Sequence, residues 1–228
     1  ELEGSKIFSH EFMSRHGILH PYSIVAKNSR EAVDHGRGML LYYGGGVIKA
    51  DGLTGCKGVA SYHNELELRR AVKSVMGKRP KEPALIQQFV NGQEASFIIF
   101  TDGEHATPLP HTQDYKTAFD NNEGPNTGGM GAYARAPIIT PEMEQTVMKN
   151  IVTPTLHGMA EKGRTYRGIL YVGLMIAGGR PYVLEYNCRG GDPETQPAMA
   201  LLDSSLIELG NGCTTGMEGI KPAWSGKS

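Results

Sequence analysis

The sequence predicts an α+β fold, and three observations lead there. Apolar residues recur at helical spacing in some segments and form short runs in others. Asp102-Gly103 and Gly178-Gly179 each stand between two strand-like runs, a hairpin signal. Hairpins mixed with helices build antiparallel α+β sheets rather than a doubly wound parallel sheet.

The elements follow in order. Ser5 caps a helix over residues 5–16, with Ile7, Phe8, Phe12 and Met13 at helical spacing and Gly17 ending it. Residues 22–26 read as a short strand. Residues 29–41 read as a weak helix, diluted by Gly36 and Gly38. Residues 47–50 form a strand, 51–58 a glycine-rich loop, and 59–62 the strand leaving it. Asn64 caps a helix whose one face carries Leu68, Ala71, Val72 and Val75. Residues 84–90 and 94–101 are apolar strands, and 105–109 is the return arm of the Asp102-Gly103 hairpin. Residues 110–137 show little periodicity, and a loop of that length is usually functional or disordered. Thr140-Pro141 starts a helix in the expected order, cap then proline. Pro154 is expected to kink or break that helix near Thr153. Residues 168–177 and 180–187 are two strands joined by Gly178-Gly179. Residues 197–209 read as helical and the rest, from Gly210, as an irregular tail.

Composition excludes several classes of function. There are 23 Lys+Arg against 24 Asp+Glu in 228 residues, a net charge of -1. A nucleic-acid surface normally needs a basic excess, so no nucleic-acid partner is expected. No apolar run approaches the roughly 18–20 residues that span a bilayer, so no membrane role is expected either. The first residues, Glu1-Leu2-Glu3-Gly4, lack a charged-then-apolar signal pattern. Three cysteines are few and odd in number, which favours a reducing, cytoplasmic location. The glycine count of 30 is far above average, and the glycines sit in short clusters. Those clusters point to close backbone approach to a ligand.

Four segments carry candidate chemistry. Lys49-Ala50-Asp51-Gly52-Leu53-Thr54-Gly55-Cys56-Lys57-Gly58 places glycines between two strands with a lysine toward each end. Such a loop can wrap phosphates with backbone N–H groups while the ammonium groups neutralise charge. It is not a Walker A loop, because Gly58 follows Lys57. It reads equally well as an ordinary hairpin with solvated lysines. Glu185 and Asn187 project from one face of a strand end. A carboxylate and an amide oxygen side by side suit a hard cation such as Mg²⁺ (or Mn²⁺), and Arg189 beyond them suits an anion. A strand edge blunted by polar residues would look the same. The long segment adds Asp114, Lys116 and the run Gly124-Pro125-Asn126-Thr127-Gly128-Gly129-Met130-Gly131, which favours backbone contacts to a ligand. The strand ending Gln87-Gln88-Phe89-Val90, with Glu94 just beyond, can offer backbone groups to an adenine edge and a carboxylate to a ribose; alone it reads as a plain buried strand.

Taken together and in this order, Gly4-Ser5-Lys6, Lys49-Ala50-Asp51-Gly52-Leu53, the run from Gly124 to Tyr133, Asn187-Cys188-Arg189 and Gly191-Asp192-Pro193-Glu194-Thr195-Gln196 resemble one family. It is phosphoribosylamine–glycine ligase, also called glycinamide ribonucleotide synthetase, within the ATP-grasp superfamily. The resemblance covers nearly the whole chain. It implies an ATP-grasp fold of two α+β subdomains gripping ATP between them. The larger would hold residues 1–48 and 91–228, and the smaller, lid-like one residues 49–90. It implies that the chain is the family's central portion, with the N-terminal and C-terminal domains absent and association with them expected.

The implied reaction is ATP-dependent ligation of glycine to 5-phosphoribosylamine through glycyl phosphate, a step of purine biosynthesis. The implied cofactors are ATP and Mg²⁺ or Mn²⁺. Lys6, Lys49 and Lys57 would contact phosphates. Gln87, Gln88, Phe89 and Val90 would form the adenine hinge, with Glu94 on the ribose and Asn126 in the nucleotide site. Glu185 and Asn187 would hold the metal. Arg189 would stabilise the transferring phosphoryl group, with Lys116 and Asp192, and also Asp114, on the substrate side. The chain departs from the family pattern at Cys56, at the Gln87-Gln88 hinge, at Thr117 and at Gly190, and the segment 76–83 is shortened. Two other readings stay open: another ATP-grasp carboxylate–amine ligase, or an ATP–Mg-binding fragment without turnover.

Overall fold

Ser5 opens the first helix, α1 (Lys6–Arg15), with its hydroxyl accepting from the Phe8 N–H at 3.0 Å. The computed structural model describes residues 1–53, 58–120 and 123–226. The chain divides into two units, residues 1–12 with 20–91, and residues 13–19 with 92–228.

The first unit holds one antiparallel sheet, two complete helices and residues 6–12 of α1. Its strands are β1 (Ser23–Ala26), β2 (Gly46–Ala50), β3 (Val59–Tyr62) and β4 (Ala84–Gln88), in the order β1-β4-β2-β3. Helix α2 (Ser29–Tyr43) is capped by Asn28, whose side chain accepts from the Arg30 and Glu31 amides. Helix α3 (Glu65–Met76) is capped by Asn64. The two helices and the sheet enclose Ala26, Met39, Ile48, Tyr62, Leu68 and Ile86. Gly36 explains why α2 carries glycine: a Cβ there would lie 2.4 Å from Leu68 Cδ1 on α3.

The domain division differs from the expectation. Residues 1–12 and 20–48, and also 91, belong with 49–90; of the first 48 residues only 13–19 lie in the larger unit. For residues 20–48 the reason is pairing: β1 lies against β4 from Ser23↔Gln87 to Ala26↔Ala84, and α2 packs into the same core. The segment is part of the smaller sheet although it precedes it in the chain.

The second unit is built on the sheet β10-β7-β5-β11-β12, with β6 paired to β5. Its strands are β5 (Gln93–Thr101), β6 (Ala106–Pro108), β7 (Thr112–Asp114), β10 (Ala132–Ala134), β11 (Gly168–Ala177) and β12 (Arg180–Asn187). The hairpins at Asp102-Gly103 and Gly178-Gly179 form as expected. The segment 110–137 is more ordered than its composition suggests. It holds β7 and β10 of the main sheet and a separate hairpin of β8 (Thr117–Phe119) and β9 (Glu123–Asn126). Strands of three or four residues are too short to display a period of two.

Helix α4 (Pro141–Val147) begins at Thr140 as expected. Pro154 does not break the helical path. A π-turn over Met148–Val152 precedes α5 (Thr153–Glu161), and the Thr153 N–H reaches back to the Met148 carbonyl. The wider turn accommodates a proline that has no N–H to give. Downstream, residues 197–209 are not one helix. Helix α6 (Thr195–Ala200) ends before Ser205, which caps α7 (Leu206–Thr215), so the stretch from Gly210 to Thr215 is helical rather than a tail.

The sheet has two unlike faces. On one, Phe97 stacks on His111, and Tyr186 reaches Thr155 of α5 at 2.8 Å. On the other, Ile98, Phe100 and Tyr171 pack with Ala198 of α6 and with Leu209 and Cys213 of α7. That second face turns polar toward the start of β5, and the candidate site lies there. Among the described residues no helix is long and apolar enough to cross a membrane.

Candidate functional site

Strand register places the polar residues of the second unit. Thr112 pairs with Ser96, Ser96 with Gly173, and Gly173 with Glu185. Directly paired residues point to the same face, so these four form one row across β7, β5, β11 and β12. Two residues further along their own strands, Asp114, Glu94, Tyr171 and Asn187 share that face. Gly173, at the centre of the row, contributes no side chain, and its neighbours fill the space: a Cβ there would lie 3.2 Å from Glu185 Cγ and 3.3 Å from the Tyr171 ring.

Glu185 faces this side because of an irregularity. The β11–β12 register shifts between Gly173 and Leu174, so that Leu174 opposes Val183 while Gly173 opposes Glu185. Pro181 and Val183 are buried before the shift and Tyr186 after it. Without the extra residue Glu185 would follow Val183 onto the buried side. Neither the Glu185 nor the Asn187 side chain bonds to another described residue. One carboxylate and one amide oxygen on an open face fit Mg²⁺. That ion is usually held by one or two carboxylates plus waters and phosphate oxygens. No group of three or more His, Cys, Asp or Glu is arranged to hold a metal among the described residues.

Around Lys116 the charges are close. Its Nζ lies 2.6 Å from Glu94 Oε2 and 3.8 Å from Asp114 Oδ1. Burial works against the ammonium, but Glu94, Tyr171 and Asp114 outweigh it and hold it above the ordinary lysine range. Burial pushes the Asp114 carboxyl up to about 6; Lys116 opposes this, and Glu194 and Glu94 add to it. Beside them Glu194 accepts from Ser96 at 3.0 Å and from Tyr171 at 2.9 Å, and those two hydroxyls lie 2.9 Å apart. Burial also raises the Tyr171 phenol, so it stays protonated.

Two sequence motifs of this unit meet. Gly129, at φ 120°, lies so close to Pro193 that a Cβ would stand 2.3 Å from its Cδ. The glycine run is thereby set against Asp192-Pro193-Glu194. Asp192 is exposed, and its Oδ1 accepts from Gln196 at 2.8 Å. Arg189 is exposed, with Nη1 donating to the Gly190 carbonyl at 2.9 Å. Asn126 sits on β9 opposite Thr117, but its side chain lies outside the described residues, as does the whole of Lys57.

The first unit brings its own two motifs together. Ser5 Oγ lies 2.9 and 3.1 Å from the Asp51 oxygens, and the Ile7 N–H donates to Asp51 at 3.2 Å. Lys6 Nζ donates to the Gly52 carbonyl at 2.9 Å. Gly4-Ser5-Lys6 is thus tied to Ala50-Asp51-Gly52. Lys49, on β2, is 7% exposed. At the proposed hinge the glutamine side chains are already engaged. Gln87 donates to Ser23 Oγ at 3.1 Å, and Gln88 Oε1 accepts from the Tyr22 amide at 3.2 Å. Phe89 lies edge-on to His63. Gln87, Gln88, Phe89 and Val90 immediately precede the boundary between the two units, which falls after Asn91.

Sequence reasoning missed Ser96, Thr112 and Tyr171 as site residues, and quoted Glu194 only within a motif. The step of two from Glu94 to Ser96 was a usable signal. Thr112 and Tyr171 depend on strand pairing that no local pattern shows, and Glu194, just before α6, on hydrogen bonds to Ser96 and Tyr171 far off in the chain.

The architecture and this polar face define an ATP-grasp protein. Residues 4–195 match the family described as phosphoribosylglycinamide synthetase, ATP-grasp (A) domain, and the chain belongs to that family. It is 44% identical over 225 residues to the phosphoribosylamine–glycine ligase of Escherichia coli O6:H1, covering 96% of this chain and 51% of that protein. It is 44% identical over 219 residues to the same-named protein of Pseudomonas aeruginosa, covering 92% and 49%. The crystal structure of phosphoribosylamine–glycine ligase from Thermotoga maritima superposes with a TM-score of 0.84 at 35% identity, over 97% of this chain and 57% of that one. D-alanyl-alanine synthetase A from Vibrio cholerae shares the fold alone, at a TM-score of 0.74 and 14% identity, over 93% of this chain and 64% of that one. The chain spans about half the length of the curated relatives it matches.

Proposed function

We propose that this chain is the nucleotide-binding portion of a phosphoribosylamine–glycine ligase, joining glycine to 5-phosphoribosylamine at the expense of ATP. The single observation that carries this reading is the polar face of the second unit, with the glycine run of the long segment packed against Asp192-Pro193-Glu194. The family match, and relatives bearing that name at 44% identity, support it.

The chemistry required is activation of a poor electrophile. A carboxylate would have to expel oxide, whereas an acyl phosphate expels phosphate. ATP therefore phosphorylates glycine to glycyl phosphate with release of ADP. The amine of phosphoribosylamine then attacks the acyl carbon, and phosphate departs. Lys6, Lys49 and Lys57 neutralise ATP phosphates. The backbone of residues 87–90 takes the adenine edge, since both glutamine side chains are engaged elsewhere. Glu94 faces the ribose and Asn126 the nucleotide. Glu185 and Asn187 hold Mg²⁺ or Mn²⁺, which when bound neutralises phosphate oxygens. Arg189 stabilises the moving phosphoryl group. Lys116 and Asp192 act on the substrate side. A site of this kind must keep water from the acyl phosphate.

The test is phosphate release with ATP, glycine and freshly made phosphoribosylamine. Release with all three, abolished when glycine is omitted, is the expected result. Nucleotide binding with no turnover would instead identify a binding module.

A further inference from the structure

Segment 76–83, where the chain departs from the family pattern, takes no part in the ligase chemistry proposed above. It carries Lys78, Arg79 and Lys81. The fold brings a second basic segment to it. Strands β1 and β4 share the pair Ala26↔Ala84 at one end, so Lys27 leaves the sheet beside the point where the first segment enters it. Just beyond, the Ser29 N–H donates to the Pro80 carbonyl at 3.0 Å. Lys27, Arg30, Lys78, Arg79 and Lys81 all lie within two residues of that one bond, and all are exposed. Every one of them belongs to the first unit.

Neither ion pairing nor helix stability accounts for them. Arg79 has Glu82 at 3.2 Å. Glu31 is the other carboxylate here, and its oxygens accept from the Lys27 amide at 2.9 Å and the Asn28 side chain at 3.1 Å. Lys27, Arg30, Lys78 and Lys81 form no ion pair with any described residue. Lys27 and Arg30 also flank the N-terminus of α2, the end of a helix that disfavours cations. The basic segment is nevertheless held in shape. The Arg79 N–H donates to the Met76 carbonyl at 2.9 Å and the Glu82 N–H to the Arg79 carbonyl at 3.0 Å, with Pro80 and Pro83 restricting the backbone. Like charges gathered on an ordered surface repel one another, and an anionic partner relieves that repulsion.

The partner's chemistry follows from what surrounds the cations. No exposed large hydrophobic side chain lies in residues 27–31 or 78–83, so nothing there inserts into a lipid surface or stacks on a base. The net charge of the chain is -1, so carboxylates outnumber cations over the rest of it. An extended polyanion, whether nucleic acid or an anionic membrane, meets that excess; a short run of Asp and Glu side chains need not. We propose that Lys27, Arg30, Lys78, Arg79 and Lys81 form one docking surface for an acidic segment of a partner protein. It binds by charge complementarity rather than by apolar burial. The surface is separate from the proposed ligase site and does not rest on that reading.

The experiment measures binding of this chain to four probes. They are a short polyglutamate peptide, a glycine–serine peptide of the same length, a single-stranded poly(U) oligomer, and vesicles of phosphatidylcholine with phosphatidylserine. Polyglutamate is expected to bind and the glycine–serine peptide not to. Binding is expected to vanish at about 1 M salt, where the screening length is about 3 Å. Lys78→Ser/Arg79→Ser/Lys81→Ser is expected to lose about tenfold or more in polyglutamate affinity, and Lys27→Gln/Arg30→Gln about threefold or more. Lys78→Arg/Lys81→Arg keeps the charge and is expected to bind as the parent does. So is Lys149→Gln/Lys162→Gln, which removes two cations of the other unit. A cooperative thermal melt checks that each variant is folded; if the triple variant fails it, the Lys27→Gln/Arg30→Gln variant decides. The proposal is overturned if polyglutamate binds no better than the neutral peptide or if binding survives high salt. It is also overturned if the affinity is unchanged when these cations are removed, or if Lys149→Gln/Lys162→Gln loses as much. Tighter binding of poly(U) or of the vesicles than of polyglutamate overturns the choice of partner.

Discussion

Asp114 is the residue at which burial and charge disagree most openly. Its ordinary carboxyl value of 3.8 rises to about 6 in the folded chain. Between those two values the folded state holds a proton that the unfolded state has released. Stability from this group is therefore complete below about pH 4 and is lost as pH rises through 6. Asp114→Asn removes the penalty. The variant is expected to melt at a higher temperature than the parent at pH 8, with the gap closing as pH falls toward 4. Thermal melts of both proteins across that range check it. A gap that grows toward low pH would show that the carboxylate form is favoured by folding. The raised carboxyl is the kind of local cost that active sites carry for function.

Strand β12 shows at the scale of an element what was legible and what was not. The alternation of Glu185 and Asn187 was readable, and the structure keeps both on one face. The shift at Leu184 that selects which face was not, because a bulge leaves no mark in the local pattern. Helix α3 was legible for a local reason: its Asn64 cap bond lies within three residues of the cap. Helix α2 was legible only as a weak helix, and its Asn28 cap was not read from the sequence. Strands β7 to β10 were hidden because they are short, and β7 and β10 also gain their order from partners distant in the chain. For the same reason the sequence could nominate Glu94 and Lys116 separately but could not pair them. The placement of Glu185 predicts that Glu185→Ala loses Mg²⁺-dependent nucleotide affinity by at least about tenfold. Titrations with Mg²⁺ and with a chelator check it. A variant that responds to Mg²⁺ as the parent does would remove Glu185 from the metal site.

For the whole molecule, the division into two units carries the main consequence. Each has its own buried cluster, one around Ile48, Tyr62 and Ile86, the other around Ile98, Tyr171 and Leu209. The sequence misplaced residues 20–48 because chain order is a poor guide to sheet order when the first strand pairs with the last. Ile86 is 0% exposed at the centre of the smaller sheet. Ile86→Ala is expected to cost about 2–5 kcal/mol. The loss should appear locally, as faster amide exchange in β1, β2 and β4 with β5 and β11 still protected. Uniform acceleration across both sheets would show that the chain opens as one cooperative body.

The Ser96–Tyr171–Glu194 triangle has a further consequence, one of proton bookkeeping. Its edges measure 2.9, 3.0 and 2.9 Å, each short enough for a hydrogen bond. With Glu194 ionised, only two hydroxyl hydrogens serve these three edges. However the hydroxyls rotate, one edge carries none, and two oxygens there meet lone pair to lone pair. The ring is one hydrogen short of saturation. Its orientation is set by whatever donates to it from outside, which makes it responsive to the arrival of a neighbour in a way that a saturated ring is not.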